Sequence, residues 1–323
     1  MNRRTSLGTL STAGAAALLT SKAGSAQLDK AESDRLGTRL PMRPFGRSGE
    51  MVTQLGVGGF HIGIAENERV AQEAIETALA EGIRFFDMAP SYQNGRAEYR
   101  YGKFLTPKYR DDVFLMTKTK ARAAAEATAE LETSLARMKT DHVDALLMHA
   151  MSEENDADER VQAGVYEAFL KAKEQGKIRY LGFSGHLHTA SNLRALELLG
   201  EQVDVSLMPV NAVDPSSNDS FIQLVLPKLV ELGIAPLAMK TLAFGKFVTE
   251  AVEVAGTNPA PIIPSRLTFK EVFEYVLSQP ISCWVSGMET PSQVIKNAKI
   301  AREFRGLDPA RSAQIIAKVA AYK

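Results

Sequence analysis

The sequence predicts an α/β fold, a closed (β/α)8 barrel with a β-hairpin in front of it and an extra helix behind. Three observations predict it. Apolar strand-like runs alternate with amphipathic helix-like runs over most of the chain, the pattern of a parallel sheet joined by right-handed crossovers. The alternation repeats eight times within about 260 residues, the number and size of a closed barrel. The stretch "LGVGGF", with Gly56, Gly58 and Gly59, lacks the glycine spacing and the following acid of a dinucleotide fingerprint, which an open doubly wound sheet would carry after its first strand.

The elements follow in order. "MVTQLGVGG" reads as the first strand, "NERVAQEAIETALAEG" as its helix, "IRFFDMA" as the second strand and "AEYRYGKFL" as the next helix. Strand "VFLMTK", helix "AAAEATAELETSLARM", strand "VDALLMHA" and helix "GVYEAFLKAKEQGK" continue the series. Strand "YLGFSG", helix "ASNLRALELL", strand "VDVSLMPVNA" and helix "FIQLVLPKLVELG" come next. Strand "IAPLAMKT", helix "TFKEVFEYVLSQP", strand "ISCWVSGM" and helix "TPSQVIKNAKIAREF" complete the eight pairs, and "PARSAQIIAKVAAY" is the extra helix. Cys283 and Trp284, inside the last strand, read as core.

Composition narrows the function. Of 323 residues, 45% are hydrophobic and 24% charged, which is ordinary for a globular protein. With 38 basic and 38 acidic residues, nothing attracts nucleic acid or an acidic lipid surface. The single cysteine and the scattered histidines at 61, 142, 149, 186 and 188 do not form a metal-ligand pattern. The first 26 residues stand apart. Arg3-Arg4 with Leu7 behind them, an uncharged run from Thr5 to Ser21 and a small-residue end near Ala26 make a signal peptide of the twin-arginine type. The run is too short and too rich in small residues to be a membrane anchor. Removal after Ala26 takes Arg3, Arg4 and Lys22 and no acid, leaving 35 basic against 38 acidic residues. Residues 27–40 read as a flexible tether and 41–323 as the barrel. The expectation is an exported, periplasmic protein, monomeric or weakly associating, handled by the twin-arginine machinery.

Barrel chemistry sits at the C-terminal ends of the strands. Those ends carry Asp87 after the second strand, Tyr92 in the loop behind it, Lys118 at the end of "FLMTK" and His149 in "LLMHA". A lysine ending an apolar strand needs a carboxylate, and Asp87 is on the adjacent strand. A cation beside Tyr92 is expected to pull the phenol pKa down and make it a usable general acid. His149 is placed to hydrogen-bond the same substrate oxygen. Phe60, His61 and Met151 are expected to line the substrate entrance.

The stretch "FFDMAPSYQNGRAEYRYG" resembles the signature of the aldo-keto reductases at Asp87, Ala89, Tyr92, Glu98 and Gly102, and the likeness extends from "RPFGRSGEMVTQLGVGGF" to "VSGMETPSQVIKNAK". It departs where a glycine usually follows the tyrosine, because Gln93 and Asn94 precede Gly95. The resemblance implies that Asp87, Tyr92, Lys118 and His149 form a catalytic tetrad. It also implies NADP(H), or alternatively NAD(H), bound at the barrel mouth without a Rossmann motif, and a small-molecule aldehyde or ketone as substrate.

The cofactor contacts that the resemblance implies are Ser184 and Asn211 near the nicotinamide, with Gly185 where the family has asparagine. Pro236, Leu237 and the added cation Lys240 are assigned to the pyrophosphate. Thr290 and Asn297 fall at the adenosine end, where Gly287 and Gln293 stand in place of the family's lysine and arginine. The competing reading is a nicotinamide-binding sensor or subunit with negligible turnover, which a generic aldehyde would distinguish. A barrel isomerase or lyase would need a glycine pair for phosphate after strands seven and eight, and "KTLAFGK" and "SGMETP" show single glycines.

Overall fold

Period-two alternation sorts the residues of each barrel strand into two cores, one inside the barrel and one under the helices. The computed structural model of the chain describes residues 32–245, 247–248 and 266–320. The predicted signal peptide and residues 27–31 of the predicted tether lie outside them. The barrel strands are β1 Leu55–Gly58, β2 Phe85–Asp87, β3 Phe114–Thr119, β4 Ala145–Met151, β5 Tyr180–Gly185, β6 Val205–Pro209, β7 Ala235–Met239 and β8 Cys283–Gly287. They are parallel and ordered consecutively, and β8 pairs with β1 to close an eight-stranded barrel.

Phe85, Phe114, Met116, Ala145, Leu147, Leu237, Cys283 and Val285 make the inner core. Phe86, Leu115, Leu146, Met148 and Trp284 belong to the outer core, and the Trp284 ring lies 4.1 Å from Phe273, centroid to centroid. Asp87 comes two residues after Phe85, Lys118 two after Met116 and His149 two after Leu147. The inward register therefore delivers all three to the top of the barrel interior. At the bottom, Met42–Pro44 pairs antiparallel with Met51–Thr53. This hairpin sets Phe45 against Phe114 and Tyr180, at 4.8 and 5.1 Å between centroids. A fully buried phenylalanine stabilises the fold by about 1.5–3 kcal/mol. The run read as one first strand is thus two elements, a hairpin arm and β1.

Residues 33–38, read as tether, fold as a small hairpin of Ser33–Asp34 with Gly37–Thr38. Arg84 docks it, donating to Asp34 at 2.7 and 2.9 Å, and Arg35 pairs with Asp112. Docking by ion pairs leaves no hydrophobic period for a sequence pattern to show.

The helices are α1 Glu68–Ala80, α2 Arg96–Phe104, α3 Ala124–Met138, α4 Val165–Glu174, α5 Thr189–Leu199, α6 Leu226–Glu231, α7 Phe269–Ser278, α8 Pro291–Glu303 and α9 Pro309–Val319. Helix α6 starts late because Phe221–Val225 is a π-helical turn. Pro227 has no N–H and its ring crowds the carbonyl four residues back, so the ladder opens there. Capping boxes start α7 (Thr268 with Glu271) and α8 (Thr290 with Gln293); each such cap is worth about 1 kcal/mol. Two short helices, Gly59–Ile64 and Asp156–Gln162, lie in loops at the mouth. No helix among the described residues is long and apolar enough to cross a membrane.

Candidate active site at the barrel mouth

Lys118 organises the mouth. Its ammonium is fully buried and paired with Asp87. It also donates to the Met88 carbonyl at 2.8 Å and to the Tyr92 hydroxyl at 3.0 Å. Tyr92 reaches it from the loop after β2, where Gln93 (φ 48°), Asn94 (φ 54°) and Gly95 (φ 85°) form a left-handed run. The two residues beyond the family pattern are accommodated in that turn, asparagine being among the residues that tolerate it best. The His149 ring stands edge-on to Tyr92 at 5.9 Å, and Phe60, 43% exposed, stands edge-on to its other side at 5.6 Å.

The electrostatics differ from the expectation for Tyr92. Burial first, and then the Asp87 carboxylate, push the phenol well above its ordinary value. The Lys118 charge is already matched by Asp87, so it does not pull the phenol down. Burial likewise pushes the Asp87 carboxyl up and the Lys118 ammonium down, each opposed by the other's charge. Tyr92 is held protonated, which suits a proton donor. His149 is brought to about 2, by burial and then by Lys118, and is neutral.

The remaining predicted residues are each held by local contacts. His61 lies over Gly287: a β-carbon at 287 would stand 2.2 Å from two atoms of its ring, and Nδ1 is 3.0 Å from Glu289 Oε1. Thr290 and Gln293 are joined in the α8 cap, with Gln293 Oε1 accepting from the Glu289 N–H at 2.6 Å. Asn297 donates to Ser286 Oγ at 3.1 Å. Asn211 Oδ1 accepts from the N–H groups of Val213 and Asp214, both at 3.1 Å, and Ser184 Oγ accepts from the Ala150 N–H at 2.9 Å.

Two assignments need correction. Pro236 and Leu237 lie inside β7, not in a mouth loop. Leu237 is level with Cys283 at the start of β8 and packs in the inner core. The mouth segment begins at Lys240, which is half-buried with φ 53°; burial lowers its pKa, and it has no carboxylate partner among the described residues. Met151, expected at the entrance, is fully buried in the outer core, because an irregularity in β4 turns it away from the mouth.

Three residues at the mouth escaped the sequence reading. His186 follows β5 directly, its ring 5.6 Å from that of His149; burial, then Lys240, bring it to about 3. The "HLH" pair was its only visible mark. Asn192 on α5 fills the space beside Gly185, where an added β-carbon would stand 1.9 Å from its Nδ2. Its Nδ2 donates to the His188 carbonyl at 3.2 Å. Arg160, 2% exposed, donates from Nη2 to the His149 carbonyl at 3.1 Å; nothing in "DADERVQ" distinguishes it from a solvated helix face.

Residues 54–264 match the model of the aldo/keto reductase family. The chain is 25% identical over 303 residues to L-galactose dehydrogenase of Arabidopsis thaliana, covering 84% of this chain and 91% of that protein. Its fold is similar to that of the aldo-keto reductase AKR11C1 from Bacillus halodurans in its holo form, with a TM-score of 0.70 and 22% identity over 87% of this chain and 96% of that one. It is also similar to Bombyx mori aldo-keto reductase in complex with NADP, with a TM-score of 0.68 and 17% identity over 87% and 93% of the two chains.

Proposed function

The chain belongs to the aldo/keto reductase family, and from that premise we propose that it reduces an aldehyde or ketone to an alcohol with NADP(H), and less favourably with NAD(H). One observation carries the proposal: the buried Lys118 ammonium bonds Asp87 and the Tyr92 hydroxyl together, with neutral His149 facing the same ring. The Bombyx mori protein's NADP complex supports the choice of cofactor.

The donor set fits such a cofactor. Among the described residues, His149 Nδ1, His186 Nε2 and Asn192 Oδ1 are buried at the mouth without partners, and Lys240 has no carboxylate beside it. Lys240 would hold the pyrophosphate, Asn211 the nicotinamide end, and Thr290 with Asn297 the adenosine end. When bound, the nicotinamide ring supplies hydride to the carbonyl carbon. Tyr92 gives its phenolic proton to the carbonyl oxygen, and Lys118 stabilises the phenolate left behind, since its ammonium already touches that oxygen. Asp87 keeps Lys118 charged in its buried position. His149, being neutral, offers a ring N–H to the same oxygen. Phe60 forms one wall of the entrance.

Incubating the purified protein with NADPH and a series of aldehydes, and following loss of the reduced-nicotinamide absorbance, tests this. The expected result is turnover of at least one aldehyde. Tight NADPH binding without turnover of any carbonyl would favour the cofactor-binding sensor instead. The N-terminal residues Arg3 and Arg4 support a second proposal, that the barrel is exported already folded to the periplasm.

A further inference from the structure

Strands β4 and β5 pair residue for residue from Ala145 with Tyr180 to Met148 with Phe183, and the next pair is Met151 with Gly185. Between these pairs β4 has two residues, His149 and Ala150, where β5 has only Ser184. An extra residue of this kind is a β-bulge, which bends the strand and re-aims a side chain. It also frees an N–H and a carbonyl from the ladder, and a buried polar group left free is costly.

Both freed groups are taken up by side chains. The Ala150 N–H donates to Ser184 Oγ at 2.9 Å, and the His149 carbonyl accepts from Arg160 Nη2 at 3.1 Å. Ser184 is fully buried and Arg160 is 2% exposed. Ala150 has φ 57°, a left-handed conformation that crowds the β-carbon of any residue but glycine. Ser152 Oγ adds a third tie, donating to the Ala150 carbonyl at 3.0 Å. The outcome is that His149 stays inward beside Tyr92 while Met151 turns out to the helices.

We propose that Ser184 and Arg160 are positioning residues for His149: they clamp the bulge that aims its ring. This rests on His149 orienting the carbonyl, so one readout below is independent of turnover. Ser184→Ala and Arg160→Lys, the latter keeping charge and fold, are made in the wild-type and His149→Ala backgrounds. Each is expected to lower kcat about tenfold in the wild type and less than about twofold without His149, because residues acting through one group are not additive. Equal losses in both backgrounds overturn the proposal. Amide exchange at Ala150 is the independent readout. It is expected to be slow in the unliganded wild type and faster in Ser184→Ala, and unchanged exchange overturns the clamp whether or not the protein turns over a carbonyl.

Discussion

The imidazole of His61 occupies the space a side chain at Gly287 would need, so the loop after the first barrel strand and the end of the last one meet ring against backbone. The Glu289 carboxylate holds the ring there at 3.0 Å. The consequence bears on cofactor choice. A 2′-phosphate is best recognised by an arginine fork or a lysine. Here position 287 offers no side chain, Gln293 is spent on the helix cap, and Glu289 brings a like charge. NADPH is expected to bind more tightly than NADH by less than about a hundredfold, and Glu289→Gln to strengthen NADPH alone by a few-fold. Dissociation constants in one low-salt buffer decide it. A preference of a thousandfold or more, or a clear preference for NADH, would contradict the expectation.

The same contact predicts a non-additive pair. Gly287→Ala forces His61 off its seat, and overpacking of this kind costs about 1–3 kcal/mol. In a His61→Ala background the ring that the new methyl group would strike is gone, and the cost is expected to fall. Urea unfolding of the four proteins measures this; equal costs in both backgrounds would show that the ring is not the obstacle.

Tyr92→Phe removes the proposed proton donor and leaves the ring packing of Phe60 and His149 in place. Carbonyl reduction is expected to fall by roughly two to four decades, with NADPH affinity nearly unchanged. Retention of more than about a tenth of the activity on several aldehydes would remove Tyr92 from that role.

His149 and His186 have folded-state values of about 2 and about 3, below the ordinary value near 6.5. The unfolded chain therefore binds protons that the folded chain refuses. Their contribution to stability is whole above that value and is lost as the pH falls through 6 towards 3, by at most about 1.4 kcal/mol per pH unit for each. Unfolding free energies at pH 7 and pH 5 are expected to differ less in the His149→Gln, His186→Gln double variant than in the wild type. An identical difference would mean that neither histidine is buried neutral. Tyr92, pushed well above its ordinary value by burial and by Asp87, stays protonated throughout this range.

Arg3→Lys with Arg4→Lys is expected to leave the protein in the cytoplasm, because paired arginines are what the twin-arginine route reads. Cell fractionation checks it. Normal export of the variant would point to the general secretory route.

The barrel was legible because a strand buried on both faces is apolar throughout, and eight such runs are hard to arrange otherwise. Asp87, Lys118 and His149 were legible for the same reason: a polar residue closing an apolar run stands out. What failed did so for local reasons. Pro236 and Leu237 matched a dipeptide motif, but the end of β7 lies further on, at Met239. The bulge in β4 adds a residue that no period-two pattern reveals, which hid the burial of Met151 and the roles of Ser184 and Arg160. The pKa of Tyr92 depends on which charges are already matched, and that is known only once Asp87 and Lys118 are seen to touch.

The hairpin plug has a consequence for how variation in this chain will be felt. Phe45 closes one end of the barrel and Tyr92 stands at the other, with the inner core between them. A change near Phe45 is a change in lifetime: the chain melts earlier, yet each surviving molecule works at full speed. A change near Tyr92 is a change in competence, in which the molecule endures and does less. Drift in loops at the open end can therefore change what the mouth accepts while the sealed end keeps the scaffold whole.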